Sequence, residues 1–562
     1  MSLVDDTTAH VPSYPAFWIA LIAITVFAVQ FVPYLLDPLG LSSFPGPVLA
    51  KFSNVWLPWI VSQNRWSVTV DQLHRKYGKT LIYCGAGTFV RLAPNHVSIA
   101  HPAALPAVYG HSSGTLKAPL YDVFGPFRAR SIFSTRSRTE HARKRRIESP
   151  MFSPQSVRAL EGTTRVHHSD LASQWDNLYS YVKQAENGGS REGMLGESAW
   201  KVEDGRVWFD CMPWFNYWSF DTIGDLAFGA PFGMLLAAKD TARVAKSVKA
   251  GLATFGTVSR TGEFAFETEE IPVTKLLNKR AELVAILGWL PKYWQSIVGT
   301  LAVFSGGSNA SPKLAGLAVA SVAKRLSNPQ AREDMLNRLL DARDDNGEPM
   351  SPEELSAEAM TLIIAGADTV ANTSCATTYY LARNQRVQAK LQAELDEALK
   401  AVDSEVALYD AVKYLPYLDA VVNEGLRLHA TIGAGLPRVV PEGGITVLGH
   451  TFKEGTCVSV PIYYLHRDES IWGANATEFY PERWLDATGE RKKAMLDAFT
   501  PFSVGPRACI GRNLALMQLH IVIATLFRRF NVVLESDYSL PVQDSFVRKP
   551  RWCAIGIKLR KL

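Results

Sequence analysis

The sequence predicts a mainly α-helical protein with small β-sheets, preceded by an N-terminal transmembrane anchor helix. Residues 16–36 form an apolar run without charged side chains, which is typical of a membrane-spanning helix. Residues 351–383 carry the signals of one unusually long helix. Short apolar runs such as residues 445–447 and 456–460 predict strands, but none long enough for an extensive sheet.

The N-terminal region is predicted to anchor the chain in a membrane. At 1.5 Å per residue, residues 16–36 would span about 31 Å, which is enough for a bilayer core. Trp18 and Tyr34 lie near the two ends, where amphipathic rings favour the membrane interface. A cleaved signal peptide is the alternative, but Asp5 and Asp6 stand where such a peptide carries positive charge. We therefore predict an N-terminal segment over residues 1–15, the anchor over 16–36 and a Pro-rich hinge over 37–50.

Composition excludes several classes of protein. The chain has 562 residues and a formal net charge of +5, and no part of it is basic enough to indicate nucleic-acid binding. The six cysteines are scattered and include no C-x-x-C pair, so they favour a reducing compartment over a disulfide framework or a zinc site. They are Cys84, Cys211, Cys375, Cys457, Cys509 and Cys553.

Helix signals are clearest in the second half of the chain. Ser351 is a typical N-cap, Pro352 suits the first helical position, and Glu354 completes a capping box. The helix that follows is predicted to run to about Arg383. Further helices are predicted at 384–399, from Leu415-Pro416 onwards, at 208–228 with an end at Gly229, and from within 136–146.

Other segments are predicted to be irregular or short. Residues 81–84 and 89–92 favour a hairpin, and residues 111–130 favour a loop with a short helix. Residues 184–205 are rich in Gly, Glu and Ser, which predicts a solvated surface insertion. Residues 305–309 are predicted to form a flexible loop.

The run from Phe502 to Gly511 is the most informative part of the sequence. It matches the pattern F-x-x-G-x-R-x-C-x-G and places the Cys509 thiol just before a predicted helix. A structural cysteine beside a Gly-Pro turn is the alternative, but it explains neither the arginine nor the glycine spacing. The run resembles the haem-binding segment of the cytochrome P450 family.

The resemblance implies that residues 51–562 form one haem-thiolate catalytic domain of a monooxygenase. Its cofactor would be haem b, with the Cys509 thiolate as axial ligand, and its co-substrate O2. Backbone N–H groups at a helix N-terminus would stabilise the thiolate. Gly505 and Gly511 would let the backbone approach the porphyrin, and Arg507 would bind a propionate.

A second element lies in the middle of the long predicted helix. Asp368 and Thr369 are unfavourable in a helix centre, and such exceptions often mark function. The resemblance places this segment over the haem, with room for O2 beside Gly366 and proton relay through Asp368 and Thr369. Helix packing with an exposed Asp368 is the alternative. Many family members carry a second hydroxyl where Val370 stands, which leaves this relay one donor fewer.

Glu424 and Arg427 form a third element, with opposite charges at positions i and i+3 of a predicted helix. Such a spacing alone is typical of an exposed ion pair. The resemblance instead implies a buried structural network with Arg483 as third member, which shapes the loop that carries Cys509.

Haem propionates require cations, and the resemblance implies Arg507, Arg438, His141 and Arg145 for this task. His141 stands where many family members have tryptophan. The basic run over residues 143–146 has two interpretations. It is either a solvated helix face or a docking patch for an acidic reductase, whose association the charge would accelerate.

The likeness is closest to fungal members that hydroxylate benzoate at the para position. The segments that carry it are residues 109–117, 135–141, 345–349, 435–444 and 466–468. The implied reaction converts benzoate to 4-hydroxybenzoate. Donors for the substrate carboxylate are then expected in one loop, from Ser112, Ser113, Thr115, Lys117 and Tyr121. Two alternatives remain open: the same chemistry on a larger fungal secondary metabolite, and a haem sensor or carrier without catalysis.

The resemblance also implies partners and a location. No flavin or nicotinamide domain is evident, so electrons would come from NADPH through a separate NADPH-cytochrome reductase, with cytochrome b5 as a second possible donor. The further partners would be membrane lipid and a small aromatic substrate. The expected location is the endoplasmic reticulum membrane, with a single span and the catalytic domain in the cytosol.

Overall fold

Apolar side chains recur at helical spacing along most of the chain, and the computed structural model accordingly consists mainly of α-helices. It describes residues 15–78, 88–125, 127–255, 265–304, 310–327, 334–344, 346–400 and 404–561. The helices of this part are Pro15–Leu36 (α1), Val48–Phe52 (α2), Trp56–Ser62 (α3), Trp66–Gly78 (α4), Ala104–Tyr109 (α5), Arg138–Glu148 (α6), Pro154–Ala159 (α7), Glu161–Glu186 (α8), Met212–Phe228 (α9), Met234–Ala237 (α10), Val248–Ala253 (α11), Val273–Leu287 (α12), Lys292–Phe304 (α13), Ala310–Ser327 (α14), Met335–Asp341 (α15), Pro352–Arg383 (α16), Gln385–Ala398 (α17), Tyr409–Val412 (α18), Pro416–His429 (α19), Ile462–Leu465 (α20), Glu469–Trp472 (α21), Glu482–Asp486 (α22), Gly489–Ala498 (α23) and Arg512–Arg529 (α24).

The strands are short and form small sheets. They are Phe89–Ala93 (β1), His96–Ile99 (β2), Leu116–Lys117 (β3), Glu192–Leu195 (β4), Ser198–Glu203 (β5), Arg206–Asp210 (β6), Ala242–Ala245 (β7), Thr268–Ile271 (β8), Arg438–Val439 (β9), Ile445–Val447 (β10), His450–Phe452 (β11), Cys457–Ser459 (β12), Phe530–Leu534 (β13), Val542–Asp544 (β14), Arg548–Pro550 (β15) and Ala554–Leu559 (β16). Two sheets have five strands, in the orders β1-β2-β12-β9-β3 and β13-β16-β6-β5-β4. The predicted class, mainly α with small sheets, is confirmed.

The long helix α16 crosses the core, as its capping signals predict. The Ser351 side chain accepts a hydrogen bond from the Glu354 N–H, and most of the residues that follow are buried. The helix packs closely on α9, because a Cβ atom at Gly366 would lie only 2.8 Å from Ile223 of that helix. This close packing fixes the position of the Asp368-Thr369 segment within the core.

Most predicted helix bounds in the second half are confirmed within one or two residues. α17 and α19 follow the signals at Asn384 and Leu415-Pro416, and β10 and β12 lie where strands are expected. The core helix predicted over 208–228 begins later, because residues 206–210 form β6 and a proline near position 212 opens α9. It ends as predicted at Gly229, whose φ is +71°.

Residues 184–205 are largely exposed, as predicted for a surface segment, but they are not an irregular loop. α8 continues to Glu186, and β4 and β5 then form an antiparallel hairpin that extends the second five-stranded sheet. Trp200 of β5 is buried and stacks on Tyr181 at 3.9 Å between ring centroids. Burial of this aromatic pair outweighs the polar local composition, which had favoured a loop.

Two predicted segments lie outside the described residues, namely the first strand of the hairpin at 81–84 and the loop at 305–309. The second strand of that hairpin is β1, and it pairs with β2, a partner that the sequence did not indicate.

The predicted anchor coincides with α1, whose apolar side chains are largely exposed, among them Phe17, Ile19, Ile24 and Phe27. Within the described part of the chain, however, no helix reaches the length and apolarity needed to cross a membrane. The helical part of the prediction is therefore confirmed, and the membrane span is not.

Candidate active site

The loop that carries Cys509 is held in one conformation by its backbone. Ser503 and Gly505 both have positive φ, and residues Gly505–Arg507 form one turn of 3₁₀ helix. The Cys509 N–H donates to the Phe502 carbonyl at 2.8 Å. A Cβ atom at residue 505 would lie 2.0 Å from the carbonyl oxygen of Tyr109, so this position requires glycine because of α5.

The Cys509 thiol is exposed, yet protein surrounds it. Burial raises the pKa of the thiol, while the Gly511 N–H, Arg145 and Arg512 act to lower it. The sulfur atom of Cys509 is accessible although protein atoms surround it, so we infer that it faces an internal recess and not the outer surface. Such a thiol is accessible to a cofactor inside the protein, and coordination to a metal would deprotonate it.

Several cations lie together beside this recess. In the pairing of β3 with β9, Lys117 stands directly opposite Arg438. Like charges in directly opposed positions destabilise a sheet unless an anion lies between or beside them. Arg438 donates to the Tyr121 hydroxyl at 3.2 Å, and the Lys117 ammonium donates to the Phe133 carbonyl and lies 4.5 Å from the ring centroids of Tyr121 and Phe133.

Arg507, Arg145 and His141 complete this group, which we call the cation cluster (Lys117, His141, Arg145, Arg438 and Arg507). Burial, followed by the charge of Arg438, lowers the pKa of Arg507 to about 10. Burial and the neighbouring cations lower the pKa of His141 to about 3, so its ring is neutral. Arg145 donates to the Ala508 carbonyl at 2.6 Å, which brings it to the cysteine loop.

The cation cluster fits the propionates of a haem. Among the described residues, none of its members forms an ion pair with a carboxylate. Buried cations without counter-ions are costly, and a dianionic ligand would remove this cost. The cation cluster would bind the propionates of the haem, and the recessed thiol would bind its iron.

A cavity of about 160 Å³ lies beside α16, and it is the place where a substrate would bind. Its walls are mainly apolar, and they include Phe124, Phe133, Met360, Ile364 and Phe546. Ala365, Asp368 and Thr369 also line it, and Ala365 is exposed although it lies in the middle of a buried helix. A small aromatic ring suits these dimensions, since an apolar cavity of about 150 Å³ can hold benzene.

Asp368 has a partner that sequence reasoning missed. Its carboxylate accepts from the Lys549 ammonium at 2.5 Å, and both side chains are buried. The Thr369 hydroxyl donates to the Ala365 carbonyl at 2.9 Å. The Asp368 carboxylate and the Thr369 hydroxyl thus lie at one wall of the cavity, and Lys549 contacts this carboxylate. Gly366 contacts Ile223 of α9, and its predicted role beside O2 stays a prediction.

The structure brings Glu424, Arg427 and Arg483 together in a fully buried network. Arg427 donates to both oxygens of the Glu424 carboxylate at 2.8 Å, and Arg483 donates at 2.9 Å. The Trp484 indole N–H adds a bond of 3.0 Å. The arginines also donate to carbonyls of residues 472–478, so the network ties α19 to the chain that leads towards the cysteine loop.

The predicted substrate loop divides into two parts. Thr115 donates to the Val108 carbonyl at 2.7 Å and contacts the Ser113 hydroxyl, while Ser112 is exposed. Lys117 and Tyr121 belong to the cation cluster and its surroundings. None of these five side chains lines the cavity beside Thr369. Their predicted role in substrate binding therefore stays a prediction.

The basic run over residues 143–146 is not a continuous docking surface. Lys144 is fully buried and pairs with Glu354 at 2.5 Å and with Glu358 at 2.8 Å. Arg143 also pairs with Glu354, and Arg145 contacts the cysteine loop. The interpretation as a reductase patch fails for Lys144, because an ammonium without exposed surface cannot meet a partner.

Three of the scattered cysteines meet in the core, although no sequence spacing indicated this. The thiols of Cys211, Cys375 and Cys553 all lie within 4.8 Å of one another and are buried. They are free thiols, as are the other cysteines that the structure describes.

A recessed thiol, a cluster of buried cations and a helix that lines an apolar cavity together define a haem-thiolate protein. Residues 308–552 match the family model described as Cytochrome P450. Benzoate 4-monooxygenase of Aspergillus niger is 39% identical over 544 residues, which cover 94% of this chain and 95% of that protein. Two other fungal P450 monooxygenases, BOT4 of Botryotinia fuckeliana and atr2 of Stereocaulon alpinum, are each 30% identical, over 91% and 88% of this chain and 85% and 86% of theirs. The chain belongs to the cytochrome P450 family and is a haem monooxygenase.

Proposed function

We propose that the protein hydroxylates benzoate to 4-hydroxybenzoate, with haem b bound through Cys509, O2 as co-substrate and electrons from NADPH through a separate reductase. The observation that carries the proposal is the cavity lined by Asp368 and Thr369, whose volume of about 160 Å³ suits one aromatic ring. The 39% identity to a benzoate 4-monooxygenase supports the same substrate.

The haem, when bound, supplies the reductive activation of O2 and the insertion of one oxygen atom into a C–H bond. The protein holds the cofactor at two ends. Cys509 would ligate the iron as thiolate, and Arg145 and the Gly511 N–H would stabilise its negative charge. The cation cluster would bind the propionates through charge-assisted hydrogen bonds.

Proton supply falls to Thr369 and Asp368. The Thr369 hydroxyl would give up a proton in the cavity and regain one by way of Asp368, whose carboxylate Lys549 holds in position. The walls are mainly apolar, so these two groups are the ones that would hold a proton beside the cofactor.

Cavity size favours benzoate over a larger fungal metabolite. A volume of about 160 Å³ leaves little room beyond one ring with a small substituent. A larger substrate would require the walls formed by Phe124, Phe133 and Phe546 to move apart, although these rings pack on one another at 4.7–6.0 Å between centroids.

Purified, haem-loaded protein tests the proposal directly. We expect benzoate to displace water from the iron and shift it to high spin, and we expect 4-hydroxybenzoate to form when reductase and NADPH are added. If benzoate gives no hydroxylated product and only larger apolar compounds shift the spin state, the substrate is a larger metabolite and not benzoate. Absence of NADPH-dependent turnover for every compound would favour a haem sensor or carrier.

Thr369→Ala should keep the haem and the substrate-induced spin shift but lose coupling. Without the hydroxyl, no proton is held at this point of the cavity, so NADPH is consumed and hydrogen peroxide accumulates. We expect the ratio of 4-hydroxybenzoate to NADPH to fall roughly 100-fold, which is the lower end of what a positioned proton-transfer group contributes. Thr361→Ala, which alters another hydroxyl of the same cavity, is the matched control. Equal ratios for parent and Thr369→Ala would assign proton supply to another group.

We also propose that the protein acts at the endoplasmic reticulum membrane, with α1 as its attachment and the catalytic domain in the cytosol. The exposed apolar side chains of α1 support this, because such a surface is stable against lipid. NADPH-cytochrome reductase is the proposed electron donor there, with cytochrome b5 as a second one. Deletion of residues 1–36 should release the protein from the membrane fraction without loss of its spectrum. Unchanged sedimentation of the truncated protein would place the attachment elsewhere.

A further inference from the structure

Arg280 is a buried cation in the wall of the substrate cavity. It lies on α12 and only 5% of its surface is exposed. One guanidinium nitrogen, Nη2, donates to the carbonyl of Phe124, while Nε is buried without a hydrogen-bond partner. Among the described residues, no carboxylate forms an ion pair with it.

This arrangement is unfavourable for the protein alone. Burial lowers the pKa of Arg280 to about 10, and no neighbouring charge contributes to the shift. The side chain is therefore still charged at neutral pH, and it is charged in an apolar environment. An unsatisfied donor on a buried cation costs free energy that a suitable anion would recover.

The cavity itself supplies no such anion. Asp368 is the one carboxylate among the residues that line it, and this carboxylate already pairs with Lys549. Ser131 and Ser134 also line the cavity, but they are neutral, and the Ser131 N–H donates to the Ser134 hydroxyl oxygen at 3.0 Å. Among the described residues that line the cavity, no carboxylate is left to pair with Arg280, so an entering anion would supply the negative charge.

We propose that Arg280 binds the carboxylate of the aromatic substrate and thereby sets the specificity for benzoate. The inference rests on the proposed function and adds to it the group that recognises the acid. A guanidinium recognises a carboxylate with directed, charge-assisted hydrogen bonds, and the unpartnered Nε supplies one of them. Phe124, Phe133 and Phe546 would enclose the ring.

Recognition of the substrate carboxylate thereby moves to a residue other than the one predicted from the sequence. Lys117 was the expected partner of the carboxylate, but it lies in the cation cluster, opposite Arg438. Arg280 takes its place at the substrate, and the cation cluster is left to the cofactor.

Spin-shift titrations of the haem-loaded protein test this assignment. Benzoate, benzamide and toluene would each be titrated into the parent, Arg280→Gln, Arg280→Lys and Lys279→Gln. Lys279 precedes Arg280 on α12 but is exposed, so its variant controls for the loss of one positive charge. The carbon monoxide spectrum of each reduced variant measures how much protein is folded and loaded.

We expect the parent and Lys279→Gln to bind benzoate more tightly than benzamide or toluene. Arg280→Gln should bind benzoate roughly 10- to 100-fold more weakly, as expected for a lost hydrogen-bonded charge, while its affinity for toluene stays the same or rises. The affinity of Arg280→Lys for benzoate should lie between those of the parent and Arg280→Gln, because lysine keeps the charge but lacks the planar guanidinium.

The outcomes are distinguishable. If the parent binds benzamide or toluene as well as benzoate, the pocket does not recognise a carboxylate, and the proposed substrate fails together with this inference. If the parent prefers benzoate and loaded Arg280→Gln keeps that preference, the inference alone is overturned. If Arg280→Gln does not load haem, the Arg280→Lys titration decides, and an unchanged preference there with unchanged affinity for benzoate overturns the assignment.

Discussion

Replacing Cys509 with serine should abolish the thiolate-specific absorption band of the reduced carbon monoxide complex, together with all monooxygenase activity. The reason is the ligand chemistry, since a serine hydroxyl at neutral pH is a poor anionic donor to iron. In this protein Arg145 and the Gly511 N–H act to lower the pKa of the thiol, but burial outweighs them, so coordination to the iron would be what makes the sulfur anionic. The loss should be complete rather than graded, because the other cysteines that the structure describes are buried, whereas Cys509 alone among them is exposed.

The control is the same substitution at a thiol outside the recess. Cys211→Ser alters a buried cysteine of the core, close to Cys375 and Cys553, and it should keep the band in whatever protein folds. A band that persists in Cys509→Ser would mean that another residue ligates the iron. Loss of the band in both variants to the same extent would mean that it reports folding and not ligation.

The features that could be predicted from sequence are those in which local signals and tertiary structure agree. The Ser351 capping box starts α16, and Gly229 ends α9 in a left-handed conformation. The cysteine motif is local as well, because its two positive-φ positions and its helix start lie within ten residues. The pairing of Glu424 with Arg427 is local, but only the fold shows that both are buried.

The remaining features depend on register and packing between distant segments. Lys117 faces Arg438 because β3 pairs with β9, and nothing in either segment specifies this pairing. Arg280 appears in the sequence as one basic residue of an amphipathic helix, and only the packing of α12 against the cavity reveals its burial. Polar composition correctly predicted exposure of residues 184–205 but not their strands, because the pairing of β5 with β6 and the contact of Trp200 with Tyr181 depend on residues outside this segment.

Glu424→Gln is the second change for which we expect a very large effect, namely loss of a stably folded haem loop. The substitution keeps the shape of the side chain but removes its charge, which leaves Arg427 and Arg483 as two buried cations without a counter-ion. Removing one partner of a buried ion pair typically costs about 3–5 kcal/mol of stability. That is a large part of the total for an ordinary domain, so little protein should retain haem.

The pH dependence of unfolding separates this electrostatic effect from a simple packing defect. Burial acts to raise the pKa of Glu424, but the hydrogen bonds and charges of Arg427 and Arg483 outweigh it, and the pKa lies below the ordinary value of 4.5. A carboxylate with a depressed folded-state pKa contributes stability that is present above the unfolded-state pKa and is lost as pH falls through the folded-state value.

Urea unfolding followed by haem absorbance should therefore show a large difference in stability between the parent and Glu424→Gln near neutral pH. This difference should shrink as the pH is lowered below about 4.5, because the unfolded parent then binds a proton at Glu424 that the folded parent does not. Glu535→Gln, which removes a carboxylate from an exposed pair with Lys201, should match the parent throughout. A difference that stays constant down to the acid limit of the folded protein would show that Glu424 acts through shape alone.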